Sequence, residues 1–242
     1  MSQVKHEPRV ETRRRVLARV AIEAVYTRLA RPYDWLSNII SLGQARVWQR
    51  TLLLFVRGQR VLEIGMGTGS VQLDLSQAGL DAWGIDLSMA MMKQGVRKAH
   101  KSRLKPLKIC QARAQALPFP EDSFDSIVST FGSEYLTNAD TYAEIARVLR
   151  KGGRLVIVPG GRLRPGQRSK AIKLLLTGKN RSKSASRNEQ MEIEAYPTDP
   201  AQAPSWVGRI GGFLEETGFT VSLHIGQNSR STTLIIVGDK ER

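Results

Sequence analysis

Residues 60–70 read RVLEIGMGTGS, and this stretch decides the fold. The apolar run Val61, Leu62, Glu63, Ile64 is too brief for a helix and passes directly into alternating glycines. A buried parallel strand that breaks into a tight turn has this pattern. A helix can start at or near Ser70, with Val71, Leu73 and Leu75 available for packing. Glycine takes backbone conformations closed to other residues and lets a ligand approach the main chain. The helix end behind the glycines offers free N–H groups.

The spacing discriminates between ligands. A dinucleotide fingerprint, G-x-G-x-x-G, needs its third glycine where this chain has Ser70. The chain instead carries Gly65, Gly67 and Gly69 behind Glu63. A strand over residues 82–85 then ends at Asp86, placed to accept hydrogen bonds from a ribose diol. Glycine turn, strand and terminal acid in this order resemble the class I S-adenosylmethionine-dependent methyltransferases. The resemblance implies an α/β fold, a Rossmann-like seven-stranded mostly parallel sheet with helices on both faces. It also implies S-adenosyl-L-methionine as cofactor.

A chain of 242 residues fits one α/β domain with an appended segment. The net charge of +15 attracts polyanions: nucleic acid, anionic lipid or acidic substrates. The single cysteine, Cys110, excludes an internal disulfide and a thiolate metal cluster, and reads as a small core residue. No metal-ligand set is visible. The charged N-terminus and the lack of an apolar stretch of spanning length point to a cytoplasmic protein, soluble or peripheral at a membrane.

Four segments follow along the chain. Residues 1–57 read as an N-terminal helical cover, 58–160 as the cofactor-binding core, 161–205 as a basic insertion, and 206–242 as a helix and strand hairpin that complete the same domain. Within the cover, residues 10–30 form a helix with Val16, Val20 and Ala24 near one face among Arg13, Arg14, Arg15 and Arg19. Such a helix lies on an anionic membrane or docks on its own domain with a solvated basic face. Pro32 stops it, and a second helix covers residues 44–55. Ser88 caps a helix carrying Met89, Met92, Val96 and Ala99. Strands follow at 107–110, 123–129 and 154–158, with a helix over 139–150 between the last two. The chain closes with a helix at 206–216 and strands at 219–223 and 233–237.

Finer motifs narrow the resemblance. Tyr33-Asp34, Ser41, Gly43, Arg46 and Trp48 are similar to the Tyr-Asp, Ser-x-Gly, Arg-x-Trp run of the ubiquinone/menaquinone-biosynthesis C-methyltransferases, with Asn38 displaced by one place. The stretch AQALPFPEDSFDSIVS at residues 114–129 and RVLRKGGRLVIV at 147–158 match the same family. The resemblance covers residues 30–160. It implies Tyr33 and Glu63 near the methionine end of the cofactor and Gly65, Gly67 and Gly69 against its backbone. Asp86 would take the ribose, Leu87 and Leu117 would flank adenine, and Ala114 and Ser129 complete the set. Where relatives carry an aspartate that accepts from the adenine amino group, this chain has Arg113, which only donates.

Methyl transfer from a sulfonium is an in-line displacement in which the protein supplies mainly orientation and a dry site. No strict catalytic motif is required. The candidates for a base are Tyr33, Glu134 and Tyr135, because His6, His100 and His224 fall outside the expected pocket. The favoured acceptor is a small lipophilic or quinone-like molecule. A phospholipid or RNA methyltransferase, or a non-catalytic cofactor- or RNA-binding protein on this scaffold, is the alternative. The N-terminal arginines and the acid-free runs 87–120 and 161–188 point to an anionic surface. Lipid ranks above nucleic acid because the apolar stripe Val16, Val20 and Ala24 lies beside Arg13 and Arg15, and the lack of Phe, Tyr and Trp in 161–188 argues against single-stranded recognition.

Overall fold

The computed structural model describes residues 41–103, 106–132, 135–166, 190–196 and 205–241. The first half runs α1 (Gln44–Arg50), a 3-10 turn (Thr51–Leu54), β1 (Arg60–Ile64), α2 (Ser70–Gln77), β2 (Asp81–Asp86), α3 (Met89–Lys101) and β3 (Lys108–Gln111). The second half runs β4 (Phe124–Thr130), a 3-10 turn (Tyr135–Thr137), α4 (Ala139–Val148), β5 (Leu149–Leu163), β6 (Glu192–Ala195), α5 (Ser205–Glu216), β7 (Phe219–Gln227) and β8 (Ser231–Lys240). The sheet order is β3-β2-β1-β4-β5-β8-β7-β6.

β1 (RVLEI) sits in the middle with both of its faces covered, and every residue after Arg60 is buried. Its side chains alternate between two cores. Leu62, Ile127 and Leu155 pack on one face with Tyr142 and Ile145 of α4 and Ile210 and Leu214 of α5. Val61, Val128 and Val156 pack on the other with Trp48 of α1 and Val71 and Leu75 of α2. β1 through β5 are parallel, whereas β8, β7 and β6 add antiparallel. The chain leaves β1 toward β2 and β3 on one side, then returns to β4 on the other. A ligand crevice opens at such a reversal, outside the carboxyl ends of the strands.

The α/β Rossmann-like fold expected from the sequence is present, with one strand more than the expected seven. β6 lies inside the stretch read as an insertion and pairs with β7 through its backbone. Its sequence, EIEA, is short and charged, so no apolar run announces it. β5 continues past 158 to Leu163: after an irregularity between Ile157 and Gly160 it pairs again with β8. Gly161 permits this, since a side chain there would run into the Trp48 ring. The expected helix over 44–55 tightens into a 3-10 turn at Thr51. Cys110 is half-buried against the core, and burial pushes its thiol up. The expected helix over 10–30 and Tyr33-Asp34 lie outside the described residues, as do 167–189 and 197–204 of the basic stretch.

α1 is tied to the far hairpin. The Trp48 indole N–H donates to Ser231 Oγ at 2.9 Å, and that hydroxyl donates to Gln44 Oε1 at 2.7 Å. Asn228 Nδ2 donates to the same Gln44 oxygen at 3.0 Å. Trp48→Ala should therefore lower stability by about 3–5 kcal/mol through the cavity, and Trp48→Phe by about 1 kcal/mol through the lost donor. Urea unfolding measures both. An unchanged midpoint in Trp48→Ala would show that α1 is not part of the cooperative core.

Candidate functional site

The crevice is built on the turn after β1. Gly65, Gly67 and Gly69 all adopt left-handed backbone, with φ of 74°, 53° and 73°. Their surroundings differ. A Cβ on Gly65 would stand 2.5 Å from the Tyr135 hydroxyl, and one on Gly69 would stand 3.0 Å from Gly95 Cα of α3. A Cβ on Gly67 would meet nothing within 4 Å among the described residues. Gly65 and Gly69 let the turn close onto its neighbours, while Gly67 faces open space. On the outer side, Lys98 of α3 donates to Thr68 Oγ1 at 2.7 Å and to Ser70 Oγ at 3.2 Å.

Asp86 fixes the turn from β2. Its Oδ2 accepts from Gly67 N–H and its Oδ1 from Ser88 N–H, both at 2.7 Å. Burial pushes the carboxyl up, and the backbone donors offset part of that rise. Each oxygen keeps a second lone pair. Ser88 then caps α3 as expected, accepting from Met91 N–H at 3.3 Å.

Glu63 points inward from β1 and is 1 % exposed. Its carboxyl accepts from Gln72 Nε2 at 2.9 Å. Burial drives its pKa to about 8, with the Gln72 hydrogen bond pulling against it and Asp86 pushing with it. The Gln72 Oε1, buried beside it, has no hydrogen-bond partner. An ordinary core does not hold an acid this way.

The β4 side supplies Ser129 and Tyr135. Their hydroxyls lie 2.8 Å apart, and Tyr135 donates to the Ile64 carbonyl at 3.0 Å. Burial raises the phenol above its ordinary value. That shift favours the protonated form, and the bond to Ile64 ties the 3-10 turn to the end of β1. Phe131, just past β4, takes a left-handed φ of 55°, a strained backbone for an aromatic residue, against the edge of Trp48.

Beyond β3 a tight turn follows, in which Ala116 N–H donates to the Arg113 carbonyl at 3.1 Å. Ala114 is buried there, and Arg113 is exposed. Leu117 is buried in the core, its N–H donating to Glu144 of α4 at 2.6 Å, while Arg147 holds the Leu117 and Phe119 carbonyls. Leu87, by contrast, is exposed at the crevice mouth. The structure thus gathers Glu63, Gly65, Gly67, Asp86, Ser129 and Tyr135 at the ends of β1, β2 and β4. Tyr33 and Glu134 lie outside the described residues. Sequence reasoning passed over Gln72, Phe131 and Lys98. Gln72 left a faint signal, a polar residue on the inward face between Val71 and Leu75. No group of three metal-ligating side chains occurs among the described residues.

The sequence matches the model of the ubiE/COQ5 methyltransferase family over residues 13–175. The chain belongs to that family. Among its relatives, a demethylmenaquinone methyltransferase of Renibacterium salmoninarum is 34 % identical over 140 residues, covering 56 % of this chain and 57 % of its own length. The ubiquinone/menaquinone biosynthesis C-methyltransferase UbiE of Pectobacterium carotovorum is 33 % identical over 147 residues, covering 57 % of this chain and 59 % of that protein. The chain thus spans little more than half the length of the curated relatives it matches. A putative S-adenosyl-L-methionine-dependent methyltransferase of Methanococcus maripaludis shares the fold at a TM-score of 0.58 and 19 % identity, covering 89 % of this chain and 94 % of that one. In this ubiE/COQ5 family member, the matched region ends beyond β5 and includes every candidate residue named above.

The Glu63 proton predicts a stability profile. An unfolded chain ionises this carboxyl near pH 4.5, whereas the folded chain holds the proton to about pH 8. Stability is fully present below 4.5, falls as pH rises between these values, and is flat above 8 as far as this group is concerned. Glu63→Gln removes that loss and gives the orphan Gln72 oxygen a donor. Urea unfolding at pH 5 and pH 8 should show the variant's advantage growing by roughly 3–4 kcal/mol. Parallel behaviour of the two proteins would show that Glu63 is ionised in the fold.

Proposed function

We propose that the protein is an S-adenosylmethionine-dependent methyltransferase acting on a small lipophilic, quinone-like acceptor. The observation that carries this reading is the open face over Gly67 beside the Asp86 carboxylate, with the neutral Glu63 buried beneath the same turn. Glu63 in its ionised form, beneath this turn, repels a pyrophosphate and favours a ligand that brings positive charge. S-adenosylmethionine fits these residues: Asp86 has lone pairs left for ribose hydroxyls, Gly67 admits close approach, and Glu63 can ionise to balance an ammonium or sulfonium. When bound, that cofactor supplies a methyl carbon activated by the sulfonium.

The protein's own part is orientation and exclusion of water. Tyr135 keeps its proton, and Tyr33 and Glu134 stay as candidate bases in this proposal. An acceptor carbon activated by its own ring hydroxyls needs little help from a base, which suits a quinol-like substrate. The relatives' names, a demethylmenaquinone methyltransferase and a C-methyltransferase of quinone biosynthesis, support the same acceptor class. No described helix is long and apolar enough to cross a membrane, so a lipophilic acceptor would be met at a membrane surface or carried to the site.

Calorimetric titration with S-adenosylmethionine tests the site. Asp86→Ala should weaken binding at least tenfold, from the loss of a charged contact of roughly 1.5–3 kcal/mol, and Gly67→Val should abolish it. Equal binding by wild type and both variants would remove the ligand from this turn. Arg113→Asp should tighten binding by restoring an acceptor on the adenine side. Weaker binding would show that Arg113 makes a contact of its own.

A further inference from the structure

Among the described residues, five large apolar side chains stand in water, and three of them cluster at α3: Leu87, Met89 and Val96, at 48 %, 44 % and 49 % exposure. At 3.6 residues per turn, Met89, Lys93 and Val96 form one stripe along the helix. Arg97 and Lys101 continue round the outer face, opposite the buried Met91, Met92, Gly95 and Ala99. Lys93, Arg97, Lys101 and, in the turn beyond, Arg103 form no ion pair with a carboxylate among the described residues. Many cations elsewhere are answered: Arg46, Arg57, Arg147, Arg150, Arg154 and Lys240 each face an Asp or Glu. α3 contains no acid, and residues 87–120 contain none either.

We propose that this face of α3 docks on an anionic lipid bilayer, with Met89 and Val96 at the acyl boundary and Lys93, Arg97 and Lys101 among the headgroups. Apolar side chains flanked by unpaired cations on one side have two demands, burial and negative charge, and an anionic bilayer meets both at once. A face built only for solubility would intersperse both signs. A single-stranded RNA would be met by aromatic platforms, and residues 87–103 contain no Phe, Tyr or Trp. Leu87 follows Asp86 directly, so the docked face adjoins the mouth of the crevice. A lipophilic acceptor then has a short path from bilayer to site. The surface stands on its own residues, and the acceptor reading only gives it a use.

Flotation of the full-length protein with phosphatidylcholine vesicles, and with vesicles that also carry phosphatidylglycerol, tests the surface. Binding is expected only to the anionic vesicles, and should fall steeply as the screening length shortens from about 10 Å at 0.1 M salt to about 3 Å at 1 M. Each cation near the surface is worth about fivefold in partition, so the triple variant Lys93→Glu, Arg97→Glu, Lys101→Glu should lose at least a hundredfold. Met89→Ser with Val96→Ser leaves the charge untouched and should lose about tenfold. Unfolding midpoints and S-adenosylmethionine affinity equal to wild type confirm that the variants are folded, and vesicle binding is read independently of whether that ligand binds. Wild-type flotation by both variants would assign lipid binding to another basic stretch. Absence of flotation together with retention of a single-stranded RNA would assign the face to nucleic acid. Either result overturns the proposal.

Discussion

The Asp86 carboxylate is the contact on which the crevice depends. It takes one backbone N–H from the β1 turn and one from the residue that caps α3, so a single side chain sets three elements relative to one another. The Gly65 and Met66 N–H groups donate to the Ile85 carbonyl, but the Gly67 N–H is answered by Asp86, and ordering left-handed glycines costs about 1–2 kcal/mol each. The charge-assisted donors repay part of that cost and part of the cost of burying the acid. Because the same oxygens face the opening, the group that orders the empty turn is also the group that a diol would meet. Order in the turn and affinity for a ligand therefore share one source.

Two other acids under the turn behave in opposite ways. Asp74 on α2 is buried but answered, accepting from Arg46 at 2.7 Å and Arg50 at 3.2 Å, and this links α1 to the helix behind the glycines. Both arginines are partly exposed, so the bridges fix register more than they add stability. Among the described residues Glu63 has no cation bonded to it, only the Gln72 amide, and burial raises its pKa to about 8. A glutamine would serve the fold better at that position. A residue that costs stability while standing beside the candidate site is expected where function, not packing, sets the residue type.

The parts of the molecule legible in the sequence are those governed by local rules. The strand-to-turn break at Ile64, the strand ending at Asp86, the Ser88 cap and the inward Tyr142 and Ile145 follow from spacing and side-chain chemistry. The parts that were not legible depend on residues distant in the chain. β6 exists because β7 offers it an unpaired edge, and its own four residues carry no signal. Gly69 is small because Gly95 of α3 comes within van der Waals distance, and Gly161 because Trp48 lies over it. The Leu117 N–H finds its partner in Glu144, which no pattern around residue 117 reveals. Tyr135 is one of three candidate bases by residue type, and the burial that raises its phenol comes from residues distant in the chain. Its environment, not its type, decides the proton.

The distribution of ion pairs gives the positive charge a meaning that its total does not. Around the sheet edge and α4, cations are spent on neighbouring carboxylates: Arg154 holds Asp239 at 2.7 Å and Arg147 holds Glu144 at 2.7 Å. Even Lys108, inside the acid-free run, reaches back to Asp81 at 2.6 Å. Charges paired in this way contribute little field at a distance. Lys93, Arg97 and Lys101 keep theirs, because α3 carries no acid and none pairs with them among the described residues. A field that survives on one face attracts a polyanion to that face and orients the molecule as it arrives. In the docking proposed for α3, the crevice beside Leu87 would be delivered to the surface, an arrangement that uniformly spread charge of the same total could not produce.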